Sequence, residues 1–218
     1  VCCGAVQRYL SLAFILEEGL PIEELWRVVQ SIGSAAAQAG VQVVTGDTKV
    51  VESGKGDKIF INTTGIGSPH PKAQISMDRV GIGDQILISG PIAAHGMAIL
   101  SEREGLEFES EIQSDTTCLN HLVRDLLDEF GPDIHLLRDP TRGGVSGVCS
   151  EIAQDCKLGI RLRESEIPLD RQVAAACEIL GLEPEPVEFI QFSNGNLMVN
   201  FTGESVREKD VFVIQSGE

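Results

Sequence analysis

The first part of the chain alternates between helix-like and strand-like patterns of apolar residues. Apolar residues recur at the spacing of one helix face through residues 21–39, namely Leu25, Val28, Val29 and Ile32. Pro21 suits the first turn of this helix and Gly40 suits its end. Residues 41–46 and 57–67 are rich in β-branched residues and predict strands. We therefore predict the order strand, helix, strand, strand.

A segment rich in proline and polar residues, 68–74, separates this part from the rest and predicts a turn or linker. Beyond it, the pattern predicts strands at 85–89 and 159–163 and helices near 95–104, 115–130, 145–156 and 171–180. We place a domain boundary near residue 80, with an incomplete first domain at 1–79 and a second at 80–218. The fold class is α+β, built from two α/β domains.

The composition limits the classes of function. The net charge is −16, from 33 acidic and 17 basic residues, which argues against a nucleic-acid-binding surface. The apolar run at the N-terminus lacks a basic head and a small-residue cleavage site, so we do not expect a signal peptide. No stretch approaches the roughly 18 apolar residues of a membrane helix. The six cysteines form no C-x-x-C pair, and Cys149, Cys156 and Cys177 lie among apolar residues, which predicts buried, reduced thiols and a cytoplasmic protein.

The segment "VVTGDTKVV", residues 43–51, places an acid, two hydroxyls and a lysine between two pairs of valines. A carboxylate is a suitable ligand for Mg²⁺ together with substrate phosphates, and a lysine can neutralise phosphate charge. In an extended chain, Asp47 and Lys49 lie on the same side. An exposed ion pair at the end of a strand is the alternative. The candidate binding residues are Thr45, Gly46, Asp47, Thr48 and Lys49.

A second candidate is the loop before the helix predicted at 145–156. Its sequence, "RDPTRGGV", brings glycines to a helix start, where backbone N–H groups and the helix dipole favour an anion. An arginine there can bind phosphate and an aspartate can bind a metal. The alternative is an ordinary capped junction. The candidate residues are Asp139, Thr141, Arg142, Gly143 and Gly144.

His95 begins a predicted helix after a Gly-Pro break. An imidazole at this place can act as a general acid or base or can contact phosphate. A capping or packing role is the alternative. His70, His121 and His135 show no partner pattern.

Six segments resemble, in the same order, the hydrogenase expression/formation family HypE: "FILEEGLP", "VVTGDTKVV", "FINTTGIG", "GDQILISG", "HGMAIL" and "LRDPTRGGV". The resemblance covers roughly residues 8–183. That family belongs to an ATP-binding superfamily with aminoimidazole-ribotide synthetase, selenophosphate synthetase and thiamine-phosphate kinase. The resemblance implies a fold of this type, formed by two α/β domains, and a homodimer.

The resemblance also implies an activity and its cofactors. HypE proteins use ATP and Mg²⁺ to dehydrate a thiocarbamate on their own C-terminal cysteine to a thiocyanate, which supplies cyanide to the iron of [NiFe]-hydrogenases. By position it implies Asp47 as a Mg²⁺ or phosphate-site acid, Lys49 as a lysine that contacts phosphate or assists deprotonation, and the segment 139–144 as part of the nucleotide and substrate cleft. Together with the residue patterns above, we expect Asp47 and Asp139 as metal ligands and Lys49 and His95 as catalytic residues. The implied partners are the carbamoyltransferase HypF and the HypC–HypD complex.

Three departures from the family pattern shape what we expect. The family's segment with an Asn-Asp pair, between "VC" and "YLS", is absent here. Ser193-Asn194-Gly195 stands where the family has Asn-Glu-Gly, and residues from about 184 onwards leave the pattern. The sequence ends "IQSGE", without a terminal cysteine, so we expect no self-modification. A non-catalytic dimeric interaction module and another ATP-dependent kinase or synthetase of the superfamily are the rival hypotheses.

Overall fold

The structure is a computed structural model, and it describes residues 1–105, 112–140, 144–163 and 166–180. It also describes four short strands nearer the C-terminus, within residues 190–216. Within these ranges no helix has both the length and the apolar character needed to cross a membrane.

The described elements follow one another along the chain with these bounds: β1 Ala5–Glu17, α1 Ile22–Ala39, β2 Gln42–Val51, β3 Ile59–Pro69, β4 Gly83–Asp84, α2 Ala94–Glu104, α3 Asn120–Phe130, α4 Gly144–Cys156, β5 Leu162–Arg163, α5 Arg171–Ile179, β6 Ile190–Ser193, β7 Asn196–Val199, β8 Asp210–Val211 and β9 Gln215–Ser216. Short 3₁₀ turns lie at Met77–Arg79 and Gly131–Asp133. The contacts divide the chain into two compact units: unit 1, residues 1–75 and 118–137, and unit 2, residues 76–117 and 138–218.

Unit 1 is built on a three-stranded sheet in the order β2–β1–β3. β1 and β2 are parallel and are joined through α1, whereas β1 and β3 are antiparallel. Gly40 ends α1 in the left-handed conformation, with φ of 66°, and its N–H bonds to carbonyls of the last turn. The predicted order of strand, helix, strand and strand is thus present, and β2 lies at an edge of the sheet.

Helix α3 belongs to unit 1, although the prediction placed a helix at 115–130 in the second domain. The buried His70 side chain holds it: its Nε2 lies 3.3 Å from the Asp128 carboxylate, and its Nδ1 accepts the Lys72 N–H. At the other end, the Asn120 amide donates to the carbonyl of Ala39 at 2.8 Å. Contacts between distant parts of the chain therefore place α3 in unit 1, and no local sequence pattern encodes such contacts.

Unit 2 contains two small apolar clusters. One packs α2 against α5 and is centred on the buried residues Met97, Val173 and Cys177. The other packs α4 against the segment around β5 and is centred on Cys149, Ala153 and Leu162. These contacts explain why the predicted helices at 145–156 and 171–180 form, since each buries one apolar face.

The predicted strand at 85–89 is wrong. Only Gly83–Asp84 is a strand, and it pairs with the equally short β9. Leu87 is 83% exposed. The apolar run was interpreted as a buried strand, but a strand needs a neighbour along its whole length, and the ladder described here covers two residues.

The burial of two cysteines predicts their reactivity. Burial raises the pKa of the Cys149 thiol to about 11 and raises the pKa of Cys177, so neither presents much thiolate at neutral pH. Cys3 is exposed. We expect iodoacetamide to alkylate Cys3 at least roughly tenfold faster than Cys149 in the folded protein, because only the thiolate reacts. Peptide mass spectrometry over a time course measures both rates, and equal rates in the native state would contradict the described burial.

A carboxylate fixes the loop between β2 and β3. Glu17 accepts the backbone N–H groups of Gly54 and Lys58, the second at 3.0 Å. The Lys58 bond, and then the Gly54 bond, lower the pKa of Glu17 from its usual 4.5. The Lys58 ammonium lies 3.2 Å from Glu24 at the start of α1. The Glu17 side chain therefore links the end of β1 to this loop.

This pKa shift predicts a dependence of stability on pH. A carboxyl whose folded pKa is depressed stabilises the fold above its unfolded pKa, and this contribution is lost as pH falls through the folded pKa. Glu17→Gln should therefore lower the melting temperature at pH 7 and have progressively less effect below about pH 4. The exposed neighbour Glu18 provides the control, since Glu18→Gln should change the melting temperature little. A Glu17→Gln difference that is constant with pH would contradict the role of this carboxylate.

Candidate functional site

The first candidate cluster lies on the edge strand β2. Its register against β1 pairs Thr45 with Ser11, Asp47 with Ala13 and Lys49 with Ile15. Since alternate residues of a strand share a face, Thr45, Asp47 and Lys49 lie on one face of the sheet. All three are exposed. The extended backbone thus gives Asp47 and Lys49 the common side that the sequence predicted.

The strand β3 adds two polar residues that the sequence reasoning did not select. Asn62 pairs with Ala13, and Thr64 pairs with Ser11. Paired residues on neighbouring strands share a face, so these side chains stand on the same face as Asp47, with β1 between them. The small Ala13 leaves room between the carboxylate and the amide. The polar residues of "INTT" are visible in the sequence, but only the sheet register shows which of them lie on the same face as Asp47.

The edge of the sheet at β2 borders a shallow groove of about 620 Å³, and residues from both faces of the strand line it. Its lining combines apolar side chains of β1 with the polar end of β2: Leu12, Phe14, Val43, Val44, Thr45, Gly46, Asp47 and Thr48. One carboxylate oxygen of Asp47 accepts the N–H of Thr48 at 2.8 Å. The groove therefore brings the Asp47 carboxylate and the hydroxyls of Thr45 and Thr48 next to apolar side chains.

The close approach of β1 to β2 requires a glycine at position 46. A Cβ atom at this position would lie 1.9 Å from the carbonyl oxygen of Leu12 on β1, where no real Cβ fits. The backbones of β1 and β2 can keep their hydrogen-bonded spacing only with glycine here. Glycine in this segment is thus required by the sheet, whether or not it contacts a ligand.

The second candidate cluster is described in part. Thr141, Arg142 and Gly143 lie outside the described residues. Asp139 is exposed, and Gly144 opens the 13-residue helix α4 with φ of 57°. The neighbouring Arg138 donates to Glu151 of α4 at 2.6 Å, which ties the loop to the helix. Gly144 thus stands where a helix N-terminus offers N–H groups to an anion.

Asp47 and Gly144 belong to different units. The convergence of the β2 cluster with the loop at 139–144 stays a prediction. Each half taken alone has the chemistry expected of one side of a nucleotide site, with acid and ammonium on β2 and backbone donors on α4.

His95 lies at the second residue of α2 and is exposed. Its Nδ1 is 2.9 Å from the hydroxyl of Ser114. The His95 side chain is exposed in the part of the chain that the structure describes, so this imidazole can meet a ligand. A helix starts near His95, as predicted. No sequence pattern indicated that Ser114 would be the hydrogen-bond partner of His95.

The donors on β2 suit magnesium rather than zinc. Among the described residues no three His, Cys, Asp or Glu side chains gather as a metal cage. Mg²⁺ is commonly bound by one or two carboxylates together with phosphate oxygens and waters. The Asp47 carboxylate fits this pattern as the one protein ligand that β2 provides.

Two family models match the chain. Residues 1–68 match the AIR synthase related protein, N-terminal domain, and residues 81–209 match the AIR synthase related protein, C-terminal domain. The first model ends and the second begins on either side of the predicted boundary near residue 80.

Several proteins named carbamoyl dehydratase HypE resemble the chain. That of Rhizobium leguminosarum bv. viciae is 49% identical over 181 residues, which are 83% of this chain and 52% of that protein. That of Escherichia coli K12 is 41% identical over 213 residues, which are 98% of this chain and 61% of that protein. The chain thus spans about half the length of the curated relatives it matches.

Solved structures show the same fold. A crystal structure of HypE in complex with ATP has a TM-score of 0.80 at 50% identity, over 84% of this chain and 54% of that one. A HypE–HypF complex has a TM-score of 0.80 at 47% identity, over 84% and 59%. A thiamine monophosphate kinase from Aquifex aeolicus, with a TM-score of 0.62 at 16% identity over 84% and 61%, shares the fold alone.

Proposed function

The chain belongs to the AIR synthase related family, and from that premise we propose that it is the ATP-using part of a [NiFe]-hydrogenase maturation protein of the HypE kind. The observation that carries the proposal is the β2 cluster, which presents Asp47, Thr48 and Lys49 on an exposed edge strand of a HypE-like fold. An ATP complex of a 50% identical HypE supports a nucleotide as its ligand.

The proposed reaction dehydrates a thiocarbamate. The γ-phosphoryl group of ATP passes to the carboxamide oxygen, and that oxygen leaves as phosphate while the amide nitrogen loses both protons and forms a thiocyanate. An amide oxygen is a poor leaving group until it is phosphorylated. Phosphoryl transfer itself requires mainly positioning and charge neutralisation.

The residues of this chain have separate parts in that reaction. Asp47, with Asp139, would hold Mg²⁺, which neutralises phosphate charge when it is bound. Lys49 would bind the phosphate oxygens as a point charge. Thr45, Gly46 and Thr48 would line the phosphates from β2, and Thr141 to Gly144 would do so from the start of α4. His95 would exchange a proton with the reacting oxygens.

We also propose partners and an assembly. A homodimer through unit 1 would cover an apolar surface, since its sheet and α1 leave large side chains exposed, among them Trp26 at 61% and Ile66 at 64%. The HypE–HypF complex of a 47% identical protein supports a HypF-type carbamoyltransferase as the supplier of the thiocarbamate. The HypC–HypD complex, as acceptor, remains a prediction from the resemblance, and a cytoplasmic location remains a prediction from the cysteine pattern.

A peptide that ends in an S-carbamoylated cysteine tests the proposed function, because it supplies the substrate from outside the chain. With Mg·ATP we expect the peptide to lose one water, as followed by mass spectrometry, and phosphate to be released. Lys49→Ala should abolish both, whereas Lys55→Ala, an exposed lysine of the β2–β3 loop, should abolish neither. Mg·ATP binding without any loss of water would leave only the nucleotide site, and the dehydratase proposal would fail.

A further inference from the structure

Three side chains of unit 2 form a short hydrogen-bonded series at the start of α2. The Nδ1 of His95 lies 2.9 Å from the hydroxyl oxygen of Ser114. The same oxygen lies 2.7 Å from the hydroxyl of Thr116 and accepts the Thr116 backbone N–H at 3.1 Å. When the imidazole is uncharged, each group in the series has a fixed number of protons to donate and of positions that accept one. These numbers limit which nitrogen of His95 carries the proton.

The Ser114 hydroxyl lies in the middle of the series, and it has one proton to donate and two acceptor positions. The Thr116 N–H always takes one acceptor position. If the Thr116 hydroxyl takes the second, Ser114 can no longer accept a proton from the imidazole. Its own proton must then go to Nδ1 of His95. In the opposite arrangement, His95 would donate from Nδ1 to Ser114, Ser114 would donate to Thr116, and the exposed Thr116 hydroxyl would donate to solvent instead of to a member of the series.

We propose that Thr116 and Ser114 hold neutral His95 in the tautomer that carries its proton on Nε2. In this arrangement every proton of the series has an acceptor: Thr116 donates twice to Ser114, and Ser114 donates once to His95. The exposed Nε2–H is then a fixed donor. Ser114 and Thr116 are positioning residues, since they act on the imidazole and not on a substrate.

This tautomer narrows the part that His95 takes in the proposed reaction, and here the inference rests on the proposed function. An Nε2–H can donate a hydrogen bond to a phosphoryl oxygen, but it cannot remove a proton from the amide. Neutral His95 then acts as a hydrogen-bond donor to phosphate, and another group must accept the amide protons. The tautomer itself does not depend on any reaction.

Nuclear magnetic resonance of the intact chain with ¹⁵N-labelled histidine reads the tautomer directly. The chain has four histidines, so His95→Gln assigns the His95 signals by their loss. At a pH where the imidazole is neutral, we expect widely separated nitrogen shifts, with the proton on Nε2. Ser114→Ala should move the two His95 shifts toward each other, as expected for a mixture of both tautomers. A proton on Nδ1 in the wild type, or an unchanged spectrum in Ser114→Ala, would overturn the proposal.

Thr116 offers a matched pair of variants. Thr116→Val keeps the shape but removes the hydroxyl, which frees an acceptor on Ser114 and should also give mixed His95 shifts. Thr116→Ser keeps the hydroxyl and should retain the wild-type shifts. If Thr116→Val retains them too, the second donation to Ser114 does not set the tautomer.

Turnover of the carbamoylated peptide then separates this inference from the proposed function. Ser114→Ala should lower kcat on the order of tenfold with little change in KM, because it disorders a hydrogen bond that acts on the reacting phosphate rather than one that binds the peptide. Thr116→Ser should keep the wild-type rate. An inactive wild type with a fixed Nε2–H would refute the proposed function and leave the tautomer standing, whereas full activity in Ser114→Ala would refute the positioning role.

Discussion

Gly46→Ala should destabilise the sheet of unit 1 by about 3 kcal/mol, near the upper end of what overpacking costs. The added methyl group would lie 1.9 Å from the Leu12 carbonyl oxygen. That atom is backbone in the central strand, so no side-chain rotation can relieve the clash. β2 must move away from β1, which lengthens the ladder bonds on both sides of the position. Chemical denaturation of the intact chain measures the loss.

Gly33 in α1 provides the control for this substitution. An added Cβ there would meet no atom within 4 Å, and Gly33 lies inside a helix. Gly33→Ala should therefore stabilise unit 1 by roughly 0.8 kcal/mol, because alanine loses less backbone entropy in a helix. If both substitutions have effects of the same sign, the tight approach of β2 to β1 is wrong.

Lys49→Ala should weaken the binding of Mg·ATP by roughly 10- to 100-fold, or about 1.4–2.7 kcal/mol. The ammonium stands on the same face of β2 as Asp47 and contributes positive charge in a protein whose net charge is −16. Asp47→Asn should weaken binding by a similar factor in the presence of Mg²⁺. Without the metal its effect should vanish or reverse, because the amide no longer repels the phosphates. Isothermal titration calorimetry measures each affinity.

The loop between β2 and β3 supplies matched controls for these charges. Lys55 and Asp57 are exposed residues of the same two types on the same unit. Lys55→Ala and Asp57→Asn make the same changes of net charge as the two site variants. Each should change the affinity by less than roughly twofold, since exposed charges several residues away are screened by salt. Equal losses in control and site variants would assign the effect to overall charge, and the β2 cluster would not be the phosphate site.

The sequence predicted elements whose pattern is complete within a short window. Helix α1 shows an apolar face and a glycine at its end, and β2 shows valine pairs on both sides of a polar insert. The strand predicted at 85–89 failed because its apolar run depends on a neighbouring strand that lies far along the chain. The place of α3 depends on His70 and Ala39, which are also far away in sequence.

The candidate site divides in the same way. Asp47 and Lys49 could be found because they are two residues apart on one strand. Asn62 and Thr64 could not be assigned to their face, because only the pairing of β3 with β1 defines it. Gly46 was selected for a ligand, yet its close approach to Leu12 gives it a structural requirement that a sequence does not display. Ser114 shows no sequence pattern, since it reaches His95 only through a hydrogen bond between residues 19 apart in the chain.

We propose that the edge strand β2 and the start of α4 bind the same Mg·ATP. Hydrogen–deuterium exchange of the intact chain, with and without Mg·ATP, tests this, because β2 has one strand neighbour among the described residues and leaves part of its amides open to exchange. We expect slower exchange in peptides that cover residues 42–51 and in peptides that cover 139–150, with both effects lost in Lys49→Ala. Saturating Mg·ATP that slows exchange in only one of these segments, or in neither, would contradict the claim.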